Sequence, residues 1–177
     1  VPGLVWAGNA IVARAVAGEV PPIGLAFWRW VVAALVVAPF AAPHLRRDAP
    51  TMLKHWPMMV LLSALGISFF NSALYAAAHT TTALNIVMLQ VSAPVLVVLA
   101  SYLVFRDRIT AAQSAGIALS LVGALMLITH GDFHVLTELR FNAGDLWMLT
   151  ACAVYALYTA LLRLRPNVHA LSFLLGT

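Results

Sequence analysis

Charged residues are scarce in this sequence. Of its 177 residues, 9% are Asp, Glu, Lys or Arg and 63% are hydrophobic, and the mean hydropathy is +0.94. A soluble domain carries about 25% charged residues. So few charges cannot cover a globule in water, which excludes an ordinary soluble domain and predicts that lipid surrounds most of the surface.

Cysteine and the common catalytic motifs are also missing. The single cysteine, Cys152, excludes an intrachain disulfide and is interpreted as a small packing residue. There is no Cys/His metal spacing and no GxSxG, HExxH or GxxxxGK[ST] pattern. We therefore expect no metal, no cofactor and no enzyme. The net charge of +4 does not indicate nucleic-acid binding, because the basic residues punctuate apolar runs.

Long apolar runs dominate what remains. A spanning helix needs about 20 apolar residues, and such runs cover 1–18, 22–43, 56–78, 83–105, 111–129 and 143–163, with a seventh starting near 168. They predict an all-α polytopic membrane protein of about six to seven spans. Pro43 and Pro50 are interpreted as bracketing a polar connection, 44–54. Thr110 and Gln113 fit a capping box that begins the fifth span.

Seven of the ten Lys and Arg residues fall on alternate connections, and this sets the predicted orientation. They are Arg46, Arg47, Lys54, Arg106, Arg108, Arg163 and Arg165. Lys and Arg stay on the cytoplasmic side of a membrane. We therefore predict a cytoplasmic N-terminus and an external loop, 131–142.

Residues 5–14 and 154–163 match in register, as VWAGNAIVAR and VYALYTALLR. Because the two copies start five spans apart, the second crosses the bilayer in the opposite direction. This pattern is typical of the inverted repeats of secondary transporters.

A further group of residues resembles the drug/metabolite transporter superfamily, specifically the EamA-type exporters. The similarity includes Ser92-Ala93-Pro94, the turn 105–110 (FRDRIT), and Gly116 with Gly123. Asp107 stands where glutamate is usual in that family. The resemblance implies ten helices in two inverted five-helix repeats: 1–130 as the first repeat and 143–177 as the start of a second, whose remainder is expected beyond this sequence. It also implies a bacterial inner membrane.

Arg29 is the sharpest functional candidate, since it lies about 10 Å inside the second span. A charge at this depth either faces a cavity, where it could hold a carboxylate, or snorkels to the headgroups between Trp28 and Trp30. Other polar and aromatic candidates for a substrate pathway are Trp6, Asn9, Asn71, Tyr75, Asn85, Gln90, Ser92, Tyr155 and Tyr158. Their alternative role is to join helices by hydrogen bonds.

Other residues are assigned structural roles. Pro94 is expected to kink the fourth span, and Gly116, Ser120 and Gly123 to let a neighbouring helix approach closely. Asp107 is expected to lock a tight turn. Asp145, at the outer end of the sixth predicted span, is counted with the charges of the external loop, so no Asp or Glu is assigned to the interior of a predicted span.

Two functions follow from these observations. The favoured one is a secondary transporter that exports amino acids or related small metabolites by alternating access, with the lipid bilayer and the metabolite as its partners. The alternative is a membrane scaffold or assembly subunit that transports nothing, in which the polar groups serve only packing.

Overall fold

A computed structural model describes residues 22–129 and 142–177. These residues form helices and no strand. The elements are α1 (Pro22–Lys54), α2 (Trp56–Ser63), a π-helical segment (Ala64–Phe69), α3 (Phe70–Thr80), α4 (Ala83–Gln90), α5 (Ala93–Phe105), α6 (Ala111–Thr129), α7 (Ala143–Leu161, extended by a 3-10 turn, Leu162–Leu164) and α8 (Ala170–Gly176).

The prediction of an all-α polytopic membrane protein is confirmed. Four helical stretches are long and apolar enough to cross a bilayer: Phe27–Lys54, Trp56–Thr80, Asn85–Phe105 and Ala143–Leu164. α6 is apolar over Ala111–Met126. The first predicted span and nearly all of the external loop lie outside the described residues.

The prediction of a polar connection over 44–54 is wrong, because α1 continues through it to Lys54. A proline inside a helix removes one backbone hydrogen bond and kinks the helix. Membrane helices tolerate this loss, so Pro43 and Pro50 do not end α1. At 1.5 Å per residue α1 is about 50 Å long, well beyond a hydrocarbon core of about 30 Å. Its basic end can therefore still lie outside the core.

The described residues group into two compact units. One contains 22–49 and 168–176, where the rings of His44 and His169 stack 3.8 Å apart and the backbone N–H of His169 donates to Asp48 at 2.9 Å. The other is Pro50–Asn167, which holds α2 to α7.

Within Pro50–Asn167, α7 packs against the π-helical segment, α3, α4 and α5. The side of α7 that makes these contacts is buried every fourth residue and is mostly small, at Gly144, Met148, Cys152, Ala156 and Ala160. Small residues let helices approach closely, which is how helices associate in a membrane. Large apolar side chains such as Leu146 and Trp147 stand on other sides and are exposed to the lipid.

Capping residues begin two of these helices. Thr110 and Gln113 bond reciprocally, with N–H to side-chain oxygen distances of 2.9 and 3.2 Å, and the predicted capping box of the fifth span is thereby confirmed. α7 begins at Ala143, as expected for its span, with a second capping box between Asn142 and Asp145.

Candidate functional site

Four groups of polar and aromatic residues in Pro50–Asn167 meet one helix, α7, and the first group surrounds Asp145. The carboxylate of Asp145 is 1% exposed. It accepts hydrogen bonds from the hydroxyl of Thr81 at 2.5 Å, from the amide of Asn85 at 3.0 and 3.1 Å, and from the backbone N–H of Asn142 at 2.8 Å. Hydrogen bonds to a charged group contribute about 1.5–3 kcal/mol each. This network fastens the start of α7 to α4 and to the end of α3.

Asp145 corrects one expectation and explains another residue. It belongs to α7 and lies within a membrane-length apolar helix, so the statement that no acidic residue lies within a span is wrong. Asn85, predicted to line a pathway, is buried and directs its amide to this carboxylate. Its own backbone N–H bonds to the hydroxyl of Thr82, which caps α4.

Gly144 makes this close approach possible. A Cβ built on Gly144 would lie 2.9 Å from the carbonyl oxygen of Ala77 and would meet the hydroxyl of Thr80 at still shorter range. Such distances are below normal contact, so any side chain here would push α7 away from α3.

The second group lies where α4 gives way to α5. The helix is interrupted at Val91 and Ser92, and Pro94 stands in the first turn of α5. The carbonyl of Leu89 accepts from the backbone N–H of Ser92 at 3.1 Å and from its hydroxyl at 2.6 Å. The thiol of Cys152 on α7 also points at this carbonyl, 3.8 Å away. Gln90, at the end of α4, is half-buried.

The third group is aromatic and faces the π-helical segment. The rings of Tyr155 and Phe70 lie 4.9 Å apart, and those of Tyr155 and Tyr158 lie 5.8 Å apart. Tyr158 lies directly on Gly66, where a Cβ would stand 2.5 Å from the ring. The amide of Asn71 donates to the carbonyl of Ile67, 2.6 Å away. The structure thus brings Tyr155 and Tyr158 to an irregular, glycine-bearing part of a neighbouring span.

The fourth group joins the far end of α7 to the end of α5. Arg163 pairs with Asp107, and its guanidinium lies 4.8 Å from the centre of the Phe105 ring. The two charged side chains are 57% and 44% exposed. Asp107 was expected to lock its own turn, but its ion pair reaches a residue 56 positions along the chain. Exposed ion pairs contribute only about 0–1 kcal/mol.

The small residues of α6 do not pack as expected within the described part of the chain. Among those residues nothing lies within 4 Å of where a Cβ on Gly116 or Gly123 would stand, and Ser120 is exposed. Gly116 and Ser120 instead line an open groove of about 350 Å³ beside Pro94. Among the described residues, a close helix approach of this kind is made by α7 at Gly144.

Arg29, Tyr75, Trp6 and Asn9 are the remaining candidates. Arg29 is half-buried on α1, with its guanidinium 5.7 Å from the centre of the Trp30 ring. Tyr75 is half-buried on α3, one turn from Asn71. Trp6 and Asn9 lie outside the described residues.

Residues 1–129 match the EamA-like transporter family. The chain belongs to this family. EamA-like relatives include an uncharacterised transporter, YyaM, of Bacillus subtilis, 26% identical over 84% of this chain and 49% of its own length. An uncharacterised transporter of Archaeoglobus fulgidus is 25% identical over 89% of this chain and 53% of its own length. The riboflavin transporter of Brucella anthropi is 26% identical over 80% of this chain and 47% of its own length.

This EamA-like chain therefore spans about half the length of the curated relatives it matches. No solved structure matches it. The expected resemblance to the EamA family is confirmed, and the protein is an integral membrane protein of a transporter family.

Sequence reasoning missed several residues of this EamA-like unit, namely Gly66, Thr81, Asn142, Gly144 and Asp145. One signal for them is present in the sequence: Asn142 followed three residues later by an acidic residue is a capping box with Asp in place of Glu. The small residues every fourth position from Gly144 are a second signal. No local pattern reveals that Thr81 and Asn85 meet Asp145, because the contact spans 60 residues or more.

Proposed function

We propose that this chain forms part of a secondary transporter, not an enzyme, which exports amino acids or related small metabolites by alternating access between two inverted five-helix repeats. One observation carries the proposal. Two apolar spans are irregular along their length, at Ala64–Phe69 and at Val91–Ser92, and both pack against α7.

Irregular backbone inside a bilayer is tolerated only where it is buried in protein or lines a water-filled cavity. Transporters build their substrate sites from such discontinuous helices. π-Helical segments likewise occur frequently at functional sites. Tyr155 and Tyr158 cover one irregular segment, and Cys152 faces the other. The substrate pathway is therefore proposed to follow α7.

The direction of the helices supports the proposed topology. α4 and α5 run from Asn85 to Asp107, and α7 runs beside them from Asp145 to Arg163. Parallel neighbours of this kind require α6 to return across the bilayer between them. With the charge pattern, this favours a cytoplasmic N-terminus and a cytoplasmic Asp107–Arg163 pair in an inner membrane.

The proposed substrate class follows from the aromatic residues of α7. Two tyrosines near an irregular segment suit an aromatic or heteroaromatic compound, which stacks on phenol rings. Aromatic amino acids belong to this class. So does riboflavin, the compound named for the Brucella anthropi relative.

Export of labelled amino acids and of riboflavin from cells expressing the full-length natural protein tests the proposal. We expect Tyr158→Ala to reduce export of the transported compound at least tenfold, because the ring over Gly66 is lost. Tyr158→Phe keeps the ring and serves as the matched control. Arg29→Ala tests the separate prediction that Arg29 lines the pathway.

Export that is unchanged by Tyr158→Ala and Arg29→Ala across a broad metabolite panel would contradict the proposal. It would favour the alternative, a scaffold in which these side chains serve packing only. In that case the substitutions would lower stability without altering any flux.

A further inference from the structure

α7 is fastened to the α4–α5 pair at both ends. Asp145, near its start, bonds to Asn85 of α4, and Arg163, just past its end, pairs with Asp107 after α5. The two attachments are 18 residues apart along α7, which is about 27 Å. They therefore lie near opposite faces of the membrane.

The two attachments differ in burial and in the number of bonds. The Asp145 carboxylate is 1% exposed and accepts from three different residues, Thr81, Asn85 and Asn142. Opening this attachment would leave several buried polar groups without partners, which is costly. The Asp107–Arg163 pair joins two side chains that are each about half exposed, so water replaces its partners easily.

An interruption of the helix separates the two attachments on the α4–α5 side. The helix is interrupted at Val91 and Ser92, between the part that bonds to Asp145 and the part that ends at Asp107. The carbonyl of Leu89 accepts from Ser92 and faces Cys152, so the interruption is held by short-range contacts. Pro94 has no N–H to restore the helical bond to Gln90.

We propose that the Asp145 attachment is a permanent pivot and that the Asp107–Arg163 pair is a releasable latch. When the latch opens, the Phe105 end of α5 moves away from α7 about the Ser92–Pro94 interruption and gives up its packing against α7 there, while α4 stays fixed to α7. This inference deepens the proposed function, because it rests on alternating access and names the two contacts that separate the moving part from the fixed part.

Spin-label distances in the full-length protein, reconstituted in lipid, test the proposal. In a Cys152→Ala background, one label pair at Leu103 and Leu164 reports the latch end, and a second at Val87 and Leu146 reports the pivot end. All four side chains are exposed on helical segments. We expect Arg163→Glu to lengthen or broaden the latch-end distance by at least 5 Å and to leave the pivot-end distance unchanged.

Two variants control this experiment. Asp107→Arg combined with Arg163→Glu restores an ion pair of opposite sense and should restore the original distance. Arg108→Glu makes the same charge change next to Asp107, outside the pair, and should change neither distance. A latch-end distance that ignores Arg163→Glu, or that the double variant fails to restore, overturns the latch.

The pivot is tested with Asp145→Asn, which places an amide against the donors of Asn85 and Asn142. We expect a loss of thermal stability in detergent several times larger than that caused by Arg163→Glu. If Asp145→Asn does not fold, that outcome agrees with a permanent pivot, and Asn85→Ala then gives the measured loss. Equal losses for Asn85→Ala and Arg163→Glu overturn the distinction between pivot and latch.

Flux measurements separate this proposal from the proposed function. If Arg163→Glu opens the latch end and also changes export, both the latch and the proposed function are supported. If Arg163→Glu opens the latch end but changes the export of no compound, the latch is supported and alternating access is contradicted.

Discussion

The glycines of this chain have different roles, and only their surroundings distinguish them. Gly144 and Gly66 lie directly against neighbouring atoms, whereas Gly116 and Gly123 face open space among the described residues. The family pattern predicts a close helix contact at Gly116 and Gly123. A glycine's packing role depends on which helix reaches it, and that contact is not encoded in the residues beside it.

Gly144→Ala is expected to destabilise the protein by about 1–3 kcal/mol, since overpacking of a close contact has this cost. The added methyl group would lie 2.9 Å from the carbonyl oxygen of Ala77. Thermal unfolding in detergent measures the effect.

Gly116→Ala is the matched control, because its methyl group meets nothing within 4 Å among the described residues. Alanine favours a helix interior over glycine by about 0.5–1 kcal/mol, so this variant should be neutral or slightly more stable. A Gly144→Ala variant as stable as Gly116→Ala would contradict the close approach of α7 to α3.

Asp145 is a charged residue whose surroundings likewise depend on helices elsewhere in the chain. Asp145 lies near a predicted helix start, so the sequence favours a carboxylate in the external loop. Its spacing from Asn142 is the local signal of a capping box. Its burial depends on Thr81 and Asn85, which are brought to it by packing. The sequence shows that Asp145 is present, but it does not show which residues surround its carboxylate.

At the scale of elements, the interruption between α4 and α5 was the most predictable irregular feature. Proline lacks an N–H, so a break near Pro94 follows from local chemistry. The structure places it at Val91–Ser92, with Ser92 bonding back to Leu89. The π-helical segment Ala64–Phe69 was not predicted, because nothing in its composition distinguishes it from an ordinary apolar helix.

Pro94→Ala restores a donor for the carbonyl of Gln90. One added hydrogen bond contributes about 1 kcal/mol, so amide exchange over residues 91–94 should slow by about fivefold. Export, if the proposed hinge operates there, should fall. Hydrogen exchange by mass spectrometry measures the first effect.

Pro57→Ala controls for the loss of a proline from the first turn of a helix, since Pro57 is the second residue of α2. It should leave exchange at 91–94 unchanged. Equal exchange in the Pro94→Ala variant and the unmodified protein would show that Ser92 and Leu89, and not the proline, hold the interruption open.

At the scale of the whole molecule, orientation in the membrane is a consequence of charge and can be tested directly. Arg108→Cys should react with a membrane-impermeant maleimide only from the cytoplasmic side, and Ala143→Cys only from outside. Both positions are exposed, and Cys152→Ala removes the single thiol of these 177 residues. We expect at least tenfold selectivity for one side in intact cells against inverted vesicles. Labelling of both positions from one side would contradict the predicted topology.

The sequence alone determined the features that depend on composition and on neighbours in the chain. Scarce charge and long apolar runs specify a helical membrane protein, because lipid satisfies no backbone hydrogen bond and only helices or closed barrels satisfy their own. The turn 105–110, the spaced glycines and the proline-bearing span placed it in the EamA-like family, which the match over residues 1–129 confirmed. Among the described residues, α1 extends through Pro43 and Pro50, where the local breakers wrongly predicted an end.

The tertiary structure alone decided which polar residues meet. Asp145 with Asn85, Arg163 with Asp107, and Tyr158 with Gly66 are separated by 56 to 92 positions, and each contact exists because α7 packs along the spans before it. The spacing of residues along a helix specifies which side chains share one face of that helix. It does not specify which other helix packs against that face. The mostly small residues at every fourth position of α7 determine which helices pack there, because a small side chain lets a neighbouring helix come close enough for these contacts.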